Sequence, residues 1–317
     1  MSITYRFLSC LLIAFHGLLA VGYIFRAGPL QYDPSTILLR GEPATLQHGV
    51  EADFPQIIGN FYAAITAGLI FALVNHVVGK REGGDGATSS VTAALIPWTF
   101  HWSIASVLFF DRNLSSGFVN TKDATNHMFS VLHGILCLLS LAALVSARGL
   151  RPELLAPKTP LNRIARFIQL LLGVGHGLIA MGLFLNVGPV FWEPAMFLVR
   201  GEPATSQPGL ESAFPKYLGA IYCAISTSFL FSVTFGFASL ASQTATIPAM
   251  IYHFAALHLH MFGESHIVNH EKMDPKQILI DHGCLGILSM VVFFLIGVQL
   301  SNNSTKTPRS MRKMKKQ

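Results

Sequence analysis

The chain has 317 residues, of which 51% are hydrophobic and 12% are charged, and its formal net charge is +6. A soluble domain carries roughly 25% charged residues, so this chain has too little charge to cover a water-facing surface of its size. Most of the basic excess lies beside apolar runs, at 148–166 and 306–316, and is not a nucleic-acid signal. The composition therefore predicts an integral membrane protein and excludes a soluble one.

Eight apolar runs follow one another along the chain. Most are close to the ~20 residues that a helix needs to cross a bilayer core, and none alternates with the period of two of a barrel strand. We expect the first run to be retained rather than cleaved as a signal peptide, because its copy in the second half lies mid-chain. The predicted fold class is all-α integral membrane with about eight transmembrane helices, at 7–25, 57–78, 91–110, 128–145, 167–187, 217–241, 247–262 and 278–298.

The chain contains an internal duplication. Residues 16–62 align with 176–222 at a constant offset of 160, with 22 identities in 47 positions. A polar insertion at 80–90 accounts for most of the later drift in offset. Each copy has four predicted spans, an even number, so both copies enter the membrane in the same direction. The prediction is two parallel tandem four-helix repeats, with the division 1–147 for the first repeat, 148–163 for a cytosolic linker, 164–300 for the second repeat and 301–317 for a basic cytosolic tail.

Basic residues set the predicted orientation. Fourteen of the 22 Lys and Arg fall with the termini and even-numbered loops, and eight with the odd-numbered loops. Since basic residues beside spans usually stay cytosolic, both termini are predicted to be cytosolic. The four cysteines all lie inside predicted spans, where we interpret them as small buried hydrophobes.

The segment Arg-Gly-Glu-Pro-Ala-Thr occurs in both copies, in loops predicted to be non-cytosolic. One interpretation is a structural turn, with glycine allowing the turn and proline stopping a helix. The other is a functional role, with the glutamates catalytic and the arginines positioning a substrate (Glu42, Glu202, Arg40 and Arg200). The apolar stretches 35–39 and 195–199 predict a short helix on or in the membrane, ending at Gly41 or Gly201.

Ionisable side chains inside the predicted spans form a second set of candidates. Such groups are costly in a membrane and usually face a bundle interior or a wet cavity. A helix-to-helix hydrogen bond suffices to explain any one histidine, whereas the whole set favours a functional cavity. The catalytic candidates in or beside the spans are Asp281, Glu264, His253 and His101, and the positioning candidates are Tyr62, Tyr222, His282 and His133.

The two halves differ in their acidic residues. Asp281 aligns with Leu132, and Glu264 aligns with Arg112, so the second half has carboxylates where the first has none. Duplication supplies a symmetric cavity, and divergence then makes one side reactive. This comparison places the predicted catalytic centre in the second half.

Carboxylates and histidines in a water-poor pocket suit proton transfer on a lipophilic substrate. An acid protonates an epoxide oxygen or an alkene while a base activates water or removes a proton. Addition of water gives hydrolysis, and attack by an internal nucleophile gives cyclisation. No nucleotide-binding, kinase, nucleophile-elbow or zinc-protease motif is present, and we predict neither a cofactor nor a metal.

The eight-span outline, the small size, the histidines and acids in the spans and the repeated Arg-Gly-Glu-Pro segment resemble a known family. It comprises the fungal membrane-bound epoxide hydrolases and terpene cyclases of polyketide and meroterpenoid pathways, of the aurovertin, citreoviridin and ascofuranone type. The resemblance covers essentially the whole chain, and no catalytic residue is carried over from it. It implies epoxide opening on a hydrophobic polyene or prenylated substrate in the endoplasmic reticulum membrane, with the substrate and membrane lipid as partners.

Two other classes stay open on sequence grounds. A haem-binding membrane oxidoreductase would use paired histidines as axial ligands, namely His101 with His133 and His253 with His282. A non-catalytic lipid-binding or transport protein would use the same cavity without turnover. Replacing Asp281 or Glu202 separates this last class from an enzyme, since a non-catalytic protein keeps working.

Overall fold

The computed structural model describes residues 3–25, 38–39, 42–43, 50–82, 86–110, 124–147, 160–185, 198–199, 202–203, 210–235, 240–262 and 275–305. Over these residues the chain is helical apart from two short strand pairs, which confirms the all-α prediction. A helix occupies each predicted apolar run. The eight helices of the described part are α1 Ile3–Phe25, α2 Val50–Glu82, α3 Gly86–Phe110, α4 Ala124–Ser146, α5 Pro160–Leu185, α6 Leu210–Phe235, α7 Leu240–Phe262 and α8 Pro275–Thr305.

Two boundaries differ from the sequence-based expectation. The sixth span was predicted to run to residue 241, but α6 ends at Phe235 and α7 already begins at Leu240. Glycine follows Phe235 in the sequence, and glycine commonly ends helices. The first turns of α7 are polar, which hid them from a hydropathy reading. The polar insertion 80–90 is also partly helical, since α2 continues to Glu82 and α3 begins at Gly86.

Five helices are long and apolar enough to cross a membrane: Ile3–Phe25, Pro55–Asn75, Pro160–Leu185, Pro215–Phe235 and Ile280–Leu300. A shorter apolar helix covers Val131–Ser146 within α4. Large apolar side chains point outward from α1, α4, α5 and α8, whereas serine, threonine and histidine side chains are buried. This distribution is the reverse of that in a soluble protein and fits a membrane-embedded one.

The helices pack as two four-helix groups placed side by side. In the first half α1 contacts α2 and α4, and α3 contacts the same two helices. In the second half α5 contacts α6 and α8, and α7 contacts those two in turn. The halves meet where α3 packs on α6 and where α7 packs on α2 and α3. Four helices (α2, α3, α6 and α7) are therefore central.

Glycines allow close helix crossings at equivalent places in the two halves. A Cβ atom at Gly59 would lie 2.7 Å from Cβ of Tyr23, and one at Gly219 would lie 3.2 Å from Cβ of Leu183. Small residues at such crossings let helix backbones approach, as in other membrane proteins. These contacts fix α2 against α1 and α6 against α5, and so position the tyrosines that follow on α2 and α6.

The loops after α1 and α5 each contain an antiparallel pair of two-residue strands. Strand β1 (Leu38–Leu39) pairs with β2 (Glu42–Pro43), and β3 (Leu198–Val199) pairs with β4 (Glu202–Pro203). The short helix predicted to end at Gly41 or Gly201 is therefore wrong at its described residues, which are extended. The strand pairs are compatible with both interpretations of this segment, and the roles of its glutamates and arginines stay predictions.

Candidate functional site

Three buried histidines from α1, α3 and α4 form a hydrogen-bonded chain in the first half, the first imidazole chain. Nδ1 of His16 lies 2.7 Å from the carbonyl oxygen of Leu12. Nε2 of His16 lies 2.9 Å from Nε2 of His101. Nδ1 of His101 lies 2.9 Å from Nδ1 of His133. All three rings are fully buried, so a polar contact that spans three helices lies inside the bundle.

The second half repeats this arrangement atom for atom in the second imidazole chain. Nδ1 of His176 on α5 lies 2.5 Å from the carbonyl oxygen of Leu172. Its Nε2 lies 2.8 Å from Nε2 of His253 on α7, and Nδ1 of His253 lies 2.9 Å from Nδ1 of His282 on α8. The two ring-to-ring distances lie in the normal range for hydrogen bonds between nitrogen atoms. Both chains use the same nitrogen at each corresponding position.

The histidines of both imidazole chains lie about two turns or more from the ends of their helices. His16, His101 and His133 are each nine residues from one end of their helix. In the second half His176 and His253 are also nine residues from a helix end, and His282 is seven. At 1.5 Å per residue, nine residues amount to about 14 Å.

A tyrosine from the remaining helix completes each half. In the first half the ring of Tyr62 on α2 is stacked on His101 at a centroid distance of 6.2 Å and lies 5.7 Å from His16. In the second half the ring of Tyr222 on α6 lies 5.6 Å from His176 and 6.1 Å from His253. Every helix of a half thus contributes at least one histidine or tyrosine side chain to the same group.

The halves differ in the residue next to the middle histidine. Phe100 packs edge-on against His101 and His133, whereas Tyr252 occupies the equivalent place against His253 and His282. The second half therefore has a phenol where the first has a plain ring. Tyr252 also packs edge-on against Tyr222 at a centroid distance of 6.2 Å.

The acidic residue of the second half lies in the same neighbourhood. Asp281 on α8 is half-buried and interacts electrostatically with Tyr222. It is the one carboxylate among the residues whose side-chain surroundings the structure describes. The carboxyl group, two phenols and three imidazoles therefore lie close together in the second half. This set can donate, accept and pass protons.

The candidate residues divide into three groups. One group lies around the two imidazole chains: Tyr62, His101 and His133 in the first half, and Tyr222, His253, Asp281 and His282 in the second. A second group, Glu42 and Glu202, is described only as strand backbone. The third group lies outside the described residues: Arg40, Arg200 and Glu264.

His16 and His176 were missing from the sequence-based candidates for the site. The two histidines are identical residues at equivalent positions of the aligned stretch. The signal was therefore present, as a histidine retained at the same place on an apolar helix in both copies. An ionisable residue inside a predicted span is by default a functional candidate, so both histidines belonged among the predicted site residues.

The paired histidines do not fit haem. Two axial imidazoles bracket an iron atom, and metal–imidazole bonds are about 2 Å long, so the ligating nitrogens stand roughly 4 Å apart. The facing Nδ1 atoms are 2.9 Å apart in both proposed pairs. The ring nitrogens are turned toward each other in hydrogen bonds, with ring centroids 4.9 and 5.2 Å apart. This spacing leaves no room for iron and a porphyrin between them.

Comparisons with known proteins found no relative of this chain. No protein-family model, no curated protein and no solved structure matches the chain. The arrangement of the two imidazole chains is therefore the basis for any functional argument.

Proposed function

We propose that the protein is a membrane enzyme that opens an epoxide on a lipophilic polyketide or meroterpenoid by acid–base catalysis, giving hydrolysis or cyclisation. The observation that supports this proposal most is a group of side chains in the second half: Tyr222, His253 and His282, with the carboxyl group of Asp281 nearby. Epoxide opening needs an acid at the oxygen and a base at the nucleophile. This group holds both kinds of side chain within an apolar bundle.

The proposal includes eight spans, arranged as two parallel four-helix repeats. Helices α3 and α7 carry the middle histidines and many buried hydroxyls, among them Ser90, Thr92, Ser242 and Thr244. These hydroxyl groups lower the mean hydropathy of α3 and α7, but they do not face lipid because both helices are central in the bundle. A central helix can span a membrane with fewer apolar residues than a lipid-facing one. Cytosolic termini and an endoplasmic reticulum location belong to the same proposal.

Each side chain has a defined role in the proposed reaction. A carboxylic acid in a membrane interior is more stable neutral than charged, so Asp281 supplies the proton that the epoxide oxygen gains as its carbon–oxygen bond breaks. Tyr222 donates a hydrogen bond that holds the oxygen. His282 accepts the proton that water, or an internal hydroxyl group, loses as it bonds to carbon. Proton transfer back from the second imidazole chain to Asp281 restores the resting state.

The test uses membranes that contain the full-length protein, incubated with polyene and prenylated epoxides and followed by mass analysis. A mass gain of one water identifies hydrolysis, and a new isomer of unchanged mass identifies cyclisation. Asp281→Leu is the informative variant, because leucine occupies the aligned position in the first half and suits this helix packing. We expect turnover to be lost while the variant remains inserted and abundant.

Controls separate catalysis from folding and from lipid binding. Asp281→Glu restores an acid and is expected to recover part of the turnover. Ser289→Ala removes a hydroxyl that bonds to Leu285 O on its own helix and leaves turnover unchanged. Full cellular function with Asp281→Leu would refute the enzyme proposal and favour the non-catalytic lipid-binding or transport class.

A further inference from the structure

The first hydrogen bond of each imidazole chain has an unambiguous direction. A backbone carbonyl only accepts, so Nδ1 of His16 must carry the proton that it shares with Leu12 O. The same holds for His176 and Leu172 O. All six rings are at most 5% exposed, and a charge at this depth in a membrane is expensive. Each ring therefore carries one proton in the resting protein.

The direction then propagates along the chain. Neutral His176 has its proton on Nδ1, so its Nε2 is an acceptor and His253 must donate from Nε2. That leaves Nδ1 of His253 as an acceptor, so His282 must donate from Nδ1. The basic lone pair of the chain consequently remains on Nε2 of His282. The same steps in the first half leave it on Nε2 of His133.

We infer that one backbone carbonyl in each half fixes the tautomer of three histidines, and that His16 and His176 act as positioning residues that keep the terminal Nε2 basic. For His282 this deepens the proposed function, on which that part rests, because it identifies the nitrogen that takes the proton. The order of the protons itself is a property of the resting protein and does not depend on any substrate.

The same order allows an accepted proton to move away from the site. When Nε2 of His282 gains a proton, its Nδ1–H passes to Nδ1 of His253, whose Nε2–H passes to Nε2 of His176. Three N–H bonds form and two break, so one proton enters and one positive charge moves to His176. Its Nδ1–H still donates to Leu172 O, and the carbonyl cannot take the proton further. Because the proton cannot leave the imidazole chain at the carbonyl end, it returns to Nε2 of His282 by the same path.

The test is nitrogen-15 NMR of the full-length protein in lipid bilayers, with labelled histidine and no substrate. We expect the proton on Nδ1 in His16, His133, His176 and His282 and on Nε2 in His101 and His253, with scalar couplings between the hydrogen-bonded nitrogens. His258 lies outside both chains and serves as an internal reference. A neutral His133 or His282 with its proton on Nε2, or averaged signals from interconverting tautomers, would overturn the inference.

A variant tests the role of the first ring. His176→Phe removes the acceptor for Nε2–H of His253, so the reversed order becomes accessible and a detectable fraction of His282 should carry its proton on Nε2. The first imidazole chain in the same molecule is the matched control and should keep its order. A His282 signal that stays entirely in the Nδ1–H form would show that the carbonyl does not set it. If the unsubstituted protein shows the expected proton order but turns over no epoxide, the proposed function is refuted and the proton order stands.

Discussion

Replacement of the middle histidine should destabilise the bundle more than replacement of either end. His253→Phe keeps a ring in place but removes two interhelical hydrogen bonds, to His176 and His282. His176→Phe or His282→Phe removes one such bond each. Interhelical hydrogen bonds in membrane proteins contribute about 0.6 kcal/mol on average and up to about 1.7. We therefore expect a loss of ~1–3 kcal/mol for the middle ring and roughly half of that for an end ring.

The free energy of unfolding is measured by titrating the protein from mixed micelles into denaturing detergent, monitored by circular dichroism. The triple replacement of His176, His253 and His282 by phenylalanine should cost less than the sum of the three single changes, because it leaves no unpaired ring nitrogen behind. Ile287→Leu, on the exposed face of α8, is the control and should cost nothing measurable. Two results would contradict the hydrogen-bonded imidazole chain. One is an end replacement that lowers the free energy of unfolding as much as the middle one, and the other is a triple replacement whose loss equals the sum of the three single losses.

Three further predictions test packing, buried polarity and topology. Gly59→Ala places a Cβ atom 2.7 Å from Cβ of Tyr23 and should cost ~1–3 kcal/mol of unfolding free energy, whereas Gly134→Ala, with nothing within 4 Å, should be tolerated. Ser140→Ala removes a fully buried hydroxyl that has no hydrogen-bond partner among the described residues, and should raise the detergent midpoint; a lower midpoint would reveal a bound water. In sealed microsomes a protease added outside should remove an epitope placed after residue 317, and glycosylation at Asn302 or Asn303 would instead invert the proposed orientation.

Apolar runs located the helices well because long apolar segments have few alternatives to a helix in a membrane. The predicted helix ends were less accurate where polar residues are buried inside the bundle. The start of α7 illustrates this, since Ser242, Gln243 and Thr244 are buried yet lower the local hydropathy. Hydropathy measures preference for lipid and does not detect a helix whose neighbours are other helices.

The candidate site was only partly predictable for a different reason. Helical spacing showed which residues share a face of one helix, and the repeat showed which histidines correspond. Neither shows which helices are neighbours, so the pairing of His101 with His133 was open between haem ligation and direct contact. The strand pairs that contain Glu42 and Glu202 were likewise missed, since a five-residue apolar stretch does not distinguish a short helix from an extended strand.

Among the residues whose side chains are described, both halves have a hydrogen-bonded histidine chain but only the second has an acid near it, and this difference bears on what each half does. A feature present in both copies needs an explanation that serves both, and bundle stabilisation by three interhelical contacts suffices for the first half. The second half has in addition Asp281 in place of Leu132 and Tyr252 in place of Phe100, beside the same three rings. Stabilisation alone does not call for a carboxyl group in an apolar bundle, because burying one opposes folding. The unfavourable burial of a carboxyl group occurs at Asp281, in the half where this acid lies near His282 as a base. This placement supports a reactive centre in the second half.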